Sequence, residues 1–273
     1  MSVASKPLKN SSQILHKISA KLLATSICSC LVASTLVVLP LSLFTPSAQA
    51  QSRKVRYVPP SNLDAPKVSS SGITRANSFI PLDPLPSSKD LDKLPVSQTI
   101  SERPTIYFVS PKVSGNGIFT LIEQNDLLIP SHRVVYRKEF SLQNEAGIVA
   151  FKIPDDAPIL EIGKIYRWKI VFGNDAGSQV AYSVIKRVLP TAKLVDQLKT
   201  LSKPIDRAGL LAQEGIWVET VQTLAEAQQP VPTSIEIVDE WTDLMKSANL
   251  SFVLQYRFVS QPSARESITL PKP

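Results

Sequence analysis

The sequence predicts an α+β protein in which an antiparallel, immunoglobulin-like β-sandwich is followed by a small tetratricopeptide-like helical unit. Apolar residues alternate with a period of two between 104 and 189, which is typical of half-buried strands. After Pro190 the apolar spacing becomes that of amphipathic helices. A basic and then apolar segment precedes both regions and has neither pattern.

Residues 1–50 are predicted to be a secretory signal peptide. Four lysines and no acidic residue precede an uncharged stretch over 22–44, and Ala48 and Ala50 have the small side chains that signal peptidase requires. We expect cleavage after Ala50 and export of the remainder to the periplasm or cell surface. The alternative is an uncleaved membrane anchor, because the uncharged stretch is long enough to span a bilayer, with residues 51–273 outside the cytoplasm.

Removal of the signal changes the chemistry that the chain offers. Both cysteines lie within it, so the exported part has no Cys and one histidine, His132. Thiol nucleophiles, CxxC redox chemistry and Cys-ligated zinc sites are therefore excluded, and we predict no cofactor and no metal site.

The positive net charge of +7 is concentrated at the N-terminal end of the chain. Residues 101–273 contain nineteen basic and nineteen acidic side chains and are neutral. The charge therefore gives no support to nucleic-acid binding by the folded part.

Residues 51–100 contain seven prolines and many serines, and they predict a disordered linker. The basic cluster Arg53-Lys54-x-Arg56 within it is interpreted as a solvated tail. Contact with an anionic envelope polymer or lipid headgroup is the alternative.

Residues 101–190 predict the β-sandwich, with six short strands and no intervening helix. Tyr166 and Trp168 share one strand face and are expected in the interior. The loop Gly173–Ser178 is expected to connect a hairpin, with a binding loop as the lesser alternative.

Residues 191–250 predict the helical hairpin unit, with helices over 191–202, from Pro204, from Trp217 and over 234–248. Trp217 begins a helix and has the spacing of the apolar stripe of that helix. It is either an interaction anchor or a core residue. Residues 251–273 predict a returning strand over 252–259 and a disordered tail.

Several landmarks occur together in one order along the chain. They are Tyr166-x-Trp168, Asp175 in the loop that follows, Arg187-Val188 at a strand end, Ala212-x-x-Gly215-Ile216-Trp217 at a helix start, and Trp241 with Leu250. With these landmarks the chain resembles a cyanobacterial exported family catalogued as domain of unknown function 928. The resemblance implies export and the architecture above, and it implies no catalytic residue.

Catalytic arrangements find little support in the residues. His132 with Ser131 and Asp126 would be the elements of a serine hydrolase, but no Gly-x-Ser-x-Gly elbow accompanies them, and a polar turn is the simpler interpretation. Asp155 and Asp156 lie on a proline-bounded loop and are expected to be turn formers. The remaining acidic group consists of Asp239, Glu240 and Asp243. It is expected on a solvated helix face.

These observations predict an exported, non-catalytic envelope protein that acts through protein–protein contacts with an unidentified envelope partner. We predict no catalytic, cofactor-binding or metal-binding residue. Trp217 is the candidate interaction anchor. A module that binds carbohydrate or another envelope polymer is the alternative function, favoured by exposed aromatic residues on one sheet face. A hydrolase is the third hypothesis and depends on His132 or on paired carboxylates.

Overall fold

The computed structural model describes residues 54–60, 79–85, 96–124, 132–173, 178–229, 233–259 and 263–264. All of them belong to the unit formed by residues 49–273. The predicted signal peptide, its cleavage position Ala50 and the possible catalytic residues Asp126 and Ser131 lie outside the described residues.

The β-structure of the described residues contains the six strands that the period of two predicts. They are accompanied by two short strands from the region before residue 101 and by one near the C-terminus. In chain order the strands are β1 (Ile80–Pro81), β2 (Val96–Thr99), β3 (Thr105–Ser110), β4 (Val113–Gln124), β5 (His132–Asn144), β6 (Gly147–Lys152), β7 (Ile165–Phe172), β8 (Gln179–Arg187) and β9 (Ser263–Ala264).

The strands form two sheets, one of three strands in the order β1-β3-β6 and one of six in the order β2-β8-β7-β4-β5-β9. Neighbouring strands are antiparallel except for β2 and β8, which are parallel. The strands predicted over 101–190 pair antiparallel with one another, as expected, and the parallel pair arises because β2 joins them from the region before residue 101. A parallel pair needs a long connection, and here the whole of β3 to β7 lies between the two strands.

The two sheets pack face to face through aromatic side chains. The rings of Phe119 on β4 and Phe151 on β6 stack with their centroids 4.7 Å apart, and Phe140 meets Phe151 edge-on at 5.3 Å. Tyr166 and Trp168 are 3% and 2% exposed, which confirms their predicted place in the interior. β7 and β8 are antiparallel neighbours, as the expected hairpin requires, and residues 174–177 of its loop lie outside the described residues.

Four helices follow at the positions that the helical spacing predicts. The side chain of Thr191 caps the first helix by accepting a hydrogen bond from Leu194 N, and Ser234 caps the last in the same way. Pro204 occupies a first turn, where its missing N–H costs nothing. The helices are α1 (Ala192–Thr200), α2 (Pro204–Gln213), α3 (Trp217–Ala227) and α4 (Ile235–Ser247).

The helices do not stand apart from the sheets. Buried residues of α2, α3 and α4, such as Trp217 and Leu244, belong to the same hydrophobic core as Phe108 of β3 and Ile185 of β8. A smaller cluster, which includes Leu194, joins α1 to α2. Sheets and helices therefore share one main core.

The prediction of a disordered linker over 51–100 does not hold for the three segments that the structure describes there. Val55 is fully buried, Phe79 is 3% exposed, and β2 forms one edge of the large sheet. Each segment is too short to show a periodicity, and each packs against residues far away in the sequence. The apolar side chains between the prolines provide the burial that orders them.

The returning strand predicted over 252–259 is wrong for its first half, where Ser251–Gln255 forms a 3-10 helix. Phe258 makes a single parallel bridge with Ile148 of β6. Phe258 also packs against Trp241 of α4, with ring centroids 5.2 Å apart. This part of the chain thus connects α4 to the edge of the small sheet rather than adding a regular strand.

Candidate functional site

A groove of about 540 Å³, which we call the helical groove, is bounded by helices. It lies between α1, α2, α3 and the residues that follow β2. Apolar and polar side chains share its surface. Its lining consists of Ile100, Ser101, Leu198, Pro204, Arg207, Leu211, Glu219, Gln222, Thr223, Glu226 and Ala227.

One wall of this groove is formed by the residues that follow β2, and Glu219 of α3 holds that wall in place. Its Oε1 accepts hydrogen bonds from Thr99 Oγ1 at 2.5 Å, from Ser101 N at 3.0 Å and from Ile100 N at 3.2 Å. Burial raises the pKa of this carboxyl, and the hydrogen bonds oppose the shift in part. The other oxygen, Oε2, is buried and has no hydrogen-bond partner in the part of the chain that the structure describes.

Three charged residues line the helical groove: Glu219 and Glu226 of α3, and Arg207 of α2. Glu226 is exposed at its rim, and its Oε1 accepts a hydrogen bond of 2.7 Å from Gln222 Nε2. The guanidinium of Arg207 is engaged with backbone, since it donates to Leu198 O at 2.6 Å. Together with the apolar Leu198, these groups suit a partner segment that combines an apolar and a basic side chain.

A second buried carboxylate, Asp83, lies where the segment after β1 meets β2 and β8. It accepts hydrogen bonds from the hydroxyls of Ser97 and Ser183, and burial raises its pKa to about 6. The pKa of the nearby Tyr57 is raised by burial and further by the charge of Asp83. The adjoining cavity is only about 10 Å³, enough for one water molecule at most. Asp83 therefore has a structural environment rather than a substrate pocket.

Trp217, the predicted interaction anchor, is a core residue in this structure. It is 1% exposed, and its Nε1–H donates a hydrogen bond of 2.7 Å to Leu82 O. Its ring meets that of Tyr57 edge-on, with centroids 4.9 Å apart. A contact anchor needs an accessible surface, so the anchor interpretation is wrong for this conformation and the core interpretation holds.

The predicted catalytic candidates are not brought together among the described residues. His132 begins β5, where its backbone pairs with Gln124. Asp155 forms an ion pair with Lys152 at 3.2 Å. Asp156 accepts hydrogen bonds from Tyr136 Oη at 2.8 Å and from Lys138 at 3.1 Å. These two carboxylates thus have separate partners at the surface.

One residue of the acidic group on α4 does not lie on the predicted solvated face. Glu240 is 9% exposed, and its Oε2 accepts a hydrogen bond of 2.6 Å from the backbone N–H of Val55. Asp239 is exposed, and Asp243 forms an ion pair of 3.4 Å with Lys54. The expectation is therefore wrong for Glu240, because segment 54–60 covers that side of the helix.

Two further observations concern the described residues only. Their His, Asp and Glu side chains form no group of three or more that is placed to bind a metal ion. None of their helices has the length and apolar character that a membrane span requires.

Fold and groove together define a class: an α+β protein in which the two sheets and four α-helices of the described residues share a main core, with a groove between helices whose α3 side carries two carboxylates. The chain belongs to the family described as Domain of Unknown Function (DUF928), whose model matches residues 67–258. A comparison with curated proteins found no match.

The resemblance to domain of unknown function 928, drawn from Gly215-Ile216-Trp217 and its companion landmarks, is thereby confirmed for the family, while the cyanobacterial origin and the export stay predictions. The matched range extends from before β1 to Phe258 and includes the helical groove. It also begins inside the region predicted as a linker, in agreement with the packed segments found there.

Proposed function

We propose that this protein is a non-catalytic protein of the cell envelope that acts through protein–protein contacts, with the helical groove as its contact site. One observation carries the proposal: the groove combines apolar walls with an acidic side on α3. The expected occupant is an extended segment of a partner protein with a Lys or Arg beside an apolar residue. Salt bridges at such a rim contribute mainly to specificity and association rate.

The location belongs to the proposal and is supported by residues 1–50. The basic end, the uncharged stretch and Ala48-x-Ala50 have the order of a signal peptide. N-terminal sequencing of the protein recovered from its native cells tests this. A first residue of Gln51 supports cleavage and export, whereas an intact N-terminus in the cytoplasmic fraction contradicts the proposed location.

We also propose which known folds the sheets and the helices resemble. The packed sheets support kinship with immunoglobulin-like sandwiches, and the pair α2 and α3 supports kinship with tetratricopeptide hairpins. In α2 and α3 the Gly215 turn and the following aromatic Trp217 have the order expected for such a hairpin.

The contact site is tested by placing a photo-crosslinking residue at Gln222, inside the groove, and at Lys193, exposed on α1 outside its lining. Cells expressing each form at native level are irradiated, and the cross-linked products are identified by mass spectrometry. We expect a reproducible product from position 222 whose partner peptide contains a basic residue. Equal products from both positions would contradict a specific groove contact.

Charge reversal at the rim provides the matched comparison. Glu226→Lys should abolish the product from position 222, while Glu214→Lys, an exposed position at the end of α2, should leave it unchanged. Both side chains are at the surface, so thermal unfolding of the two variants should match that of the parent. Retention of the product in Glu226→Lys would overturn the proposed role of the acidic rim.

A further inference from the structure

The six-stranded sheet has one face packed on the core and a second face directed away from it. Along β7 the residues alternate, with Tyr166, Trp168 and Ile170 buried and Arg167 and Lys169 partly exposed. The same alternation extends over residues 117–122 of β4 and 180–183 of β8, because successive side chains of a strand point to opposite faces. Further along β8, Val184 lies on the second face and is buried. We call the second face, on β4, β5, β7 and β8, the outer face.

Four residues of the outer face form a straight row across four strands. Tyr182 of β8 is the register partner of Lys169 on β7, which is the partner of Thr120 on β4, which is the partner of Arg137 on β5. Neighbouring strands are about 4.8 Å apart, so the row spans about 14 Å. It combines an aromatic ring, a hydroxyl and two cations in one line.

The outer face is markedly more basic than the rest of the folded chain. Arg167 and Lys186 lie on the same face as Lys169 and Arg137. Among the residues that the structure describes, Glu139 is the one acidic side chain on these strands of that face. This excess contrasts with the equal numbers of acidic and basic residues over 101–273. A local field of this kind attracts a polyanion even when the domain is neutral.

Three cations of the outer face have no side-chain partner among the residues that the structure describes. Within the described residues, Lys169, Arg137 and Lys186 have neither an ion pair nor a hydrogen bond through their side chains, in contrast to Lys138 and Lys164. The guanidinium of Arg167 lies 5.8 Å from the centre of the Tyr182 ring, and no described residue accepts a hydrogen bond from its Nε. The Tyr182 side chain is itself 39% exposed.

We propose that the outer face binds an acidic polysaccharide along the row from Tyr182 to Arg137. Tyr182 would stack on the apolar face of a sugar ring, while Lys169 and Arg137 pair with carboxylate or sulfate groups of neighbouring units. A linear polymer matches a row of side chains that runs across four neighbouring strands. The choice of a polysaccharide over a nucleic acid rests on the proposed export, but the binding surface does not involve the helical groove.

The test measures binding of the purified protein to polygalacturonate, with neutral dextran as the control polymer. We expect salt-dependent binding to polygalacturonate and none to dextran, because exposed charge contacts are screened. Replacement of Lys169 and Arg137 together by Gln should weaken the binding by about tenfold. Tyr182→Ala should weaken it at high salt as well, since stacking is not screened.

The control is the double variant Lys193→Gln with Lys246→Gln, which removes the same charge from two exposed positions on helices. It should leave the binding unchanged. Thermal unfolding of all variants checks that the fold is retained. Equal losses in both double variants, or preferential binding to phosphatidylglycerol vesicles or single-stranded DNA, would overturn the proposal. Glu226→Lys should leave polygalacturonate binding intact, so this test is separate from that of the groove.

Discussion

The backbone N–H of Val55 donates a hydrogen bond of 2.6 Å to Oε2 of Glu240, which lies 185 positions further along the chain. Two more contacts follow on the same segment. Tyr57 N donates to Ser247 Oγ at 3.0 Å, and Val58 N donates to Ala212 O at 3.0 Å. Segment 54–60 therefore joins α4 to α2, and the region before β1 contributes directly to the stability of the helices.

Glu240→Ala should lower the free energy of unfolding by about 1.5–3 kcal/mol, because the buried Val55 N–H loses a charged acceptor. Urea denaturation measures this. The control is Asp239→Ala, the exposed neighbour, which should change the value by less than about 0.5 kcal/mol. Equal effects of the two substitutions would show that segment 54–60 does not depend on Glu240.

Trp217→Ala should lower the free energy of unfolding by about 3–5 kcal/mol, because it leaves a cavity and removes the donor to Leu82 O. Tyr182→Ala, which truncates an exposed aromatic residue, is the control and should cost far less. Thermal and urea unfolding provide the comparison. A Trp217→Ala protein of parental stability that has lost its partner would restore the anchor interpretation.

Gly215→Ala should destabilise the turn between α2 and α3 for two reasons. Gly215 has a φ of 73°, and an added Cβ would lie 2.5 Å from Pro60 Cγ. Gly163→Ala separates the two effects, since Gly163 has a φ of 83° and nothing within 4 Å of an added Cβ. The conformational cost alone is about 1 kcal/mol, so urea denaturation should show a larger loss for Gly215→Ala. Equal losses would mean that Pro60 moves aside without cost.

The strands β3 to β8 and the four helices were predictable because each is long enough to repeat its pattern. Segments such as 54–60 were not, since a few apolar residues between prolines show no period. The parallel pairing of β2 with β8 depends on where that segment returns in space. Local spacing contains no information on such long-range contacts.

The side chains of the candidate sites likewise include some that the sequence could have predicted and some that it could not. Glu240 follows Ile237 by three positions and precedes Leu244 by four, so helical spacing alone could have placed it beside the apolar stripe. Glu219 offered no such signal, because its partners Thr99, Ile100 and Ser101 are 118 to 120 positions away. The outer face likewise emerges only from the register of four strands.

The buried carboxyl of Asp83 should make stability depend on pH in an unusual direction. Its pKa is raised from 3.8 to about 6 in the folded state, so the folded protein binds the proton more tightly than the unfolded chain does. The contribution of Asp83 to the free energy of unfolding should therefore fall as the pH rises from about 4 to about 6, by about 3 kcal/mol at most.

Asp83→Asn, which keeps an acceptor for Ser97 but cannot ionise, should remove this fall. Urea denaturation of parent and variant at closely spaced pH values measures the difference between their profiles. Asp155→Asn, an exposed carboxylate paired with Lys152, is the control and should retain the parental fall. Parallel profiles for the parent and Asp83→Asn would show that Asp83 has an ordinary pKa in the folded protein, and hence that water reaches the region between β1 and β2.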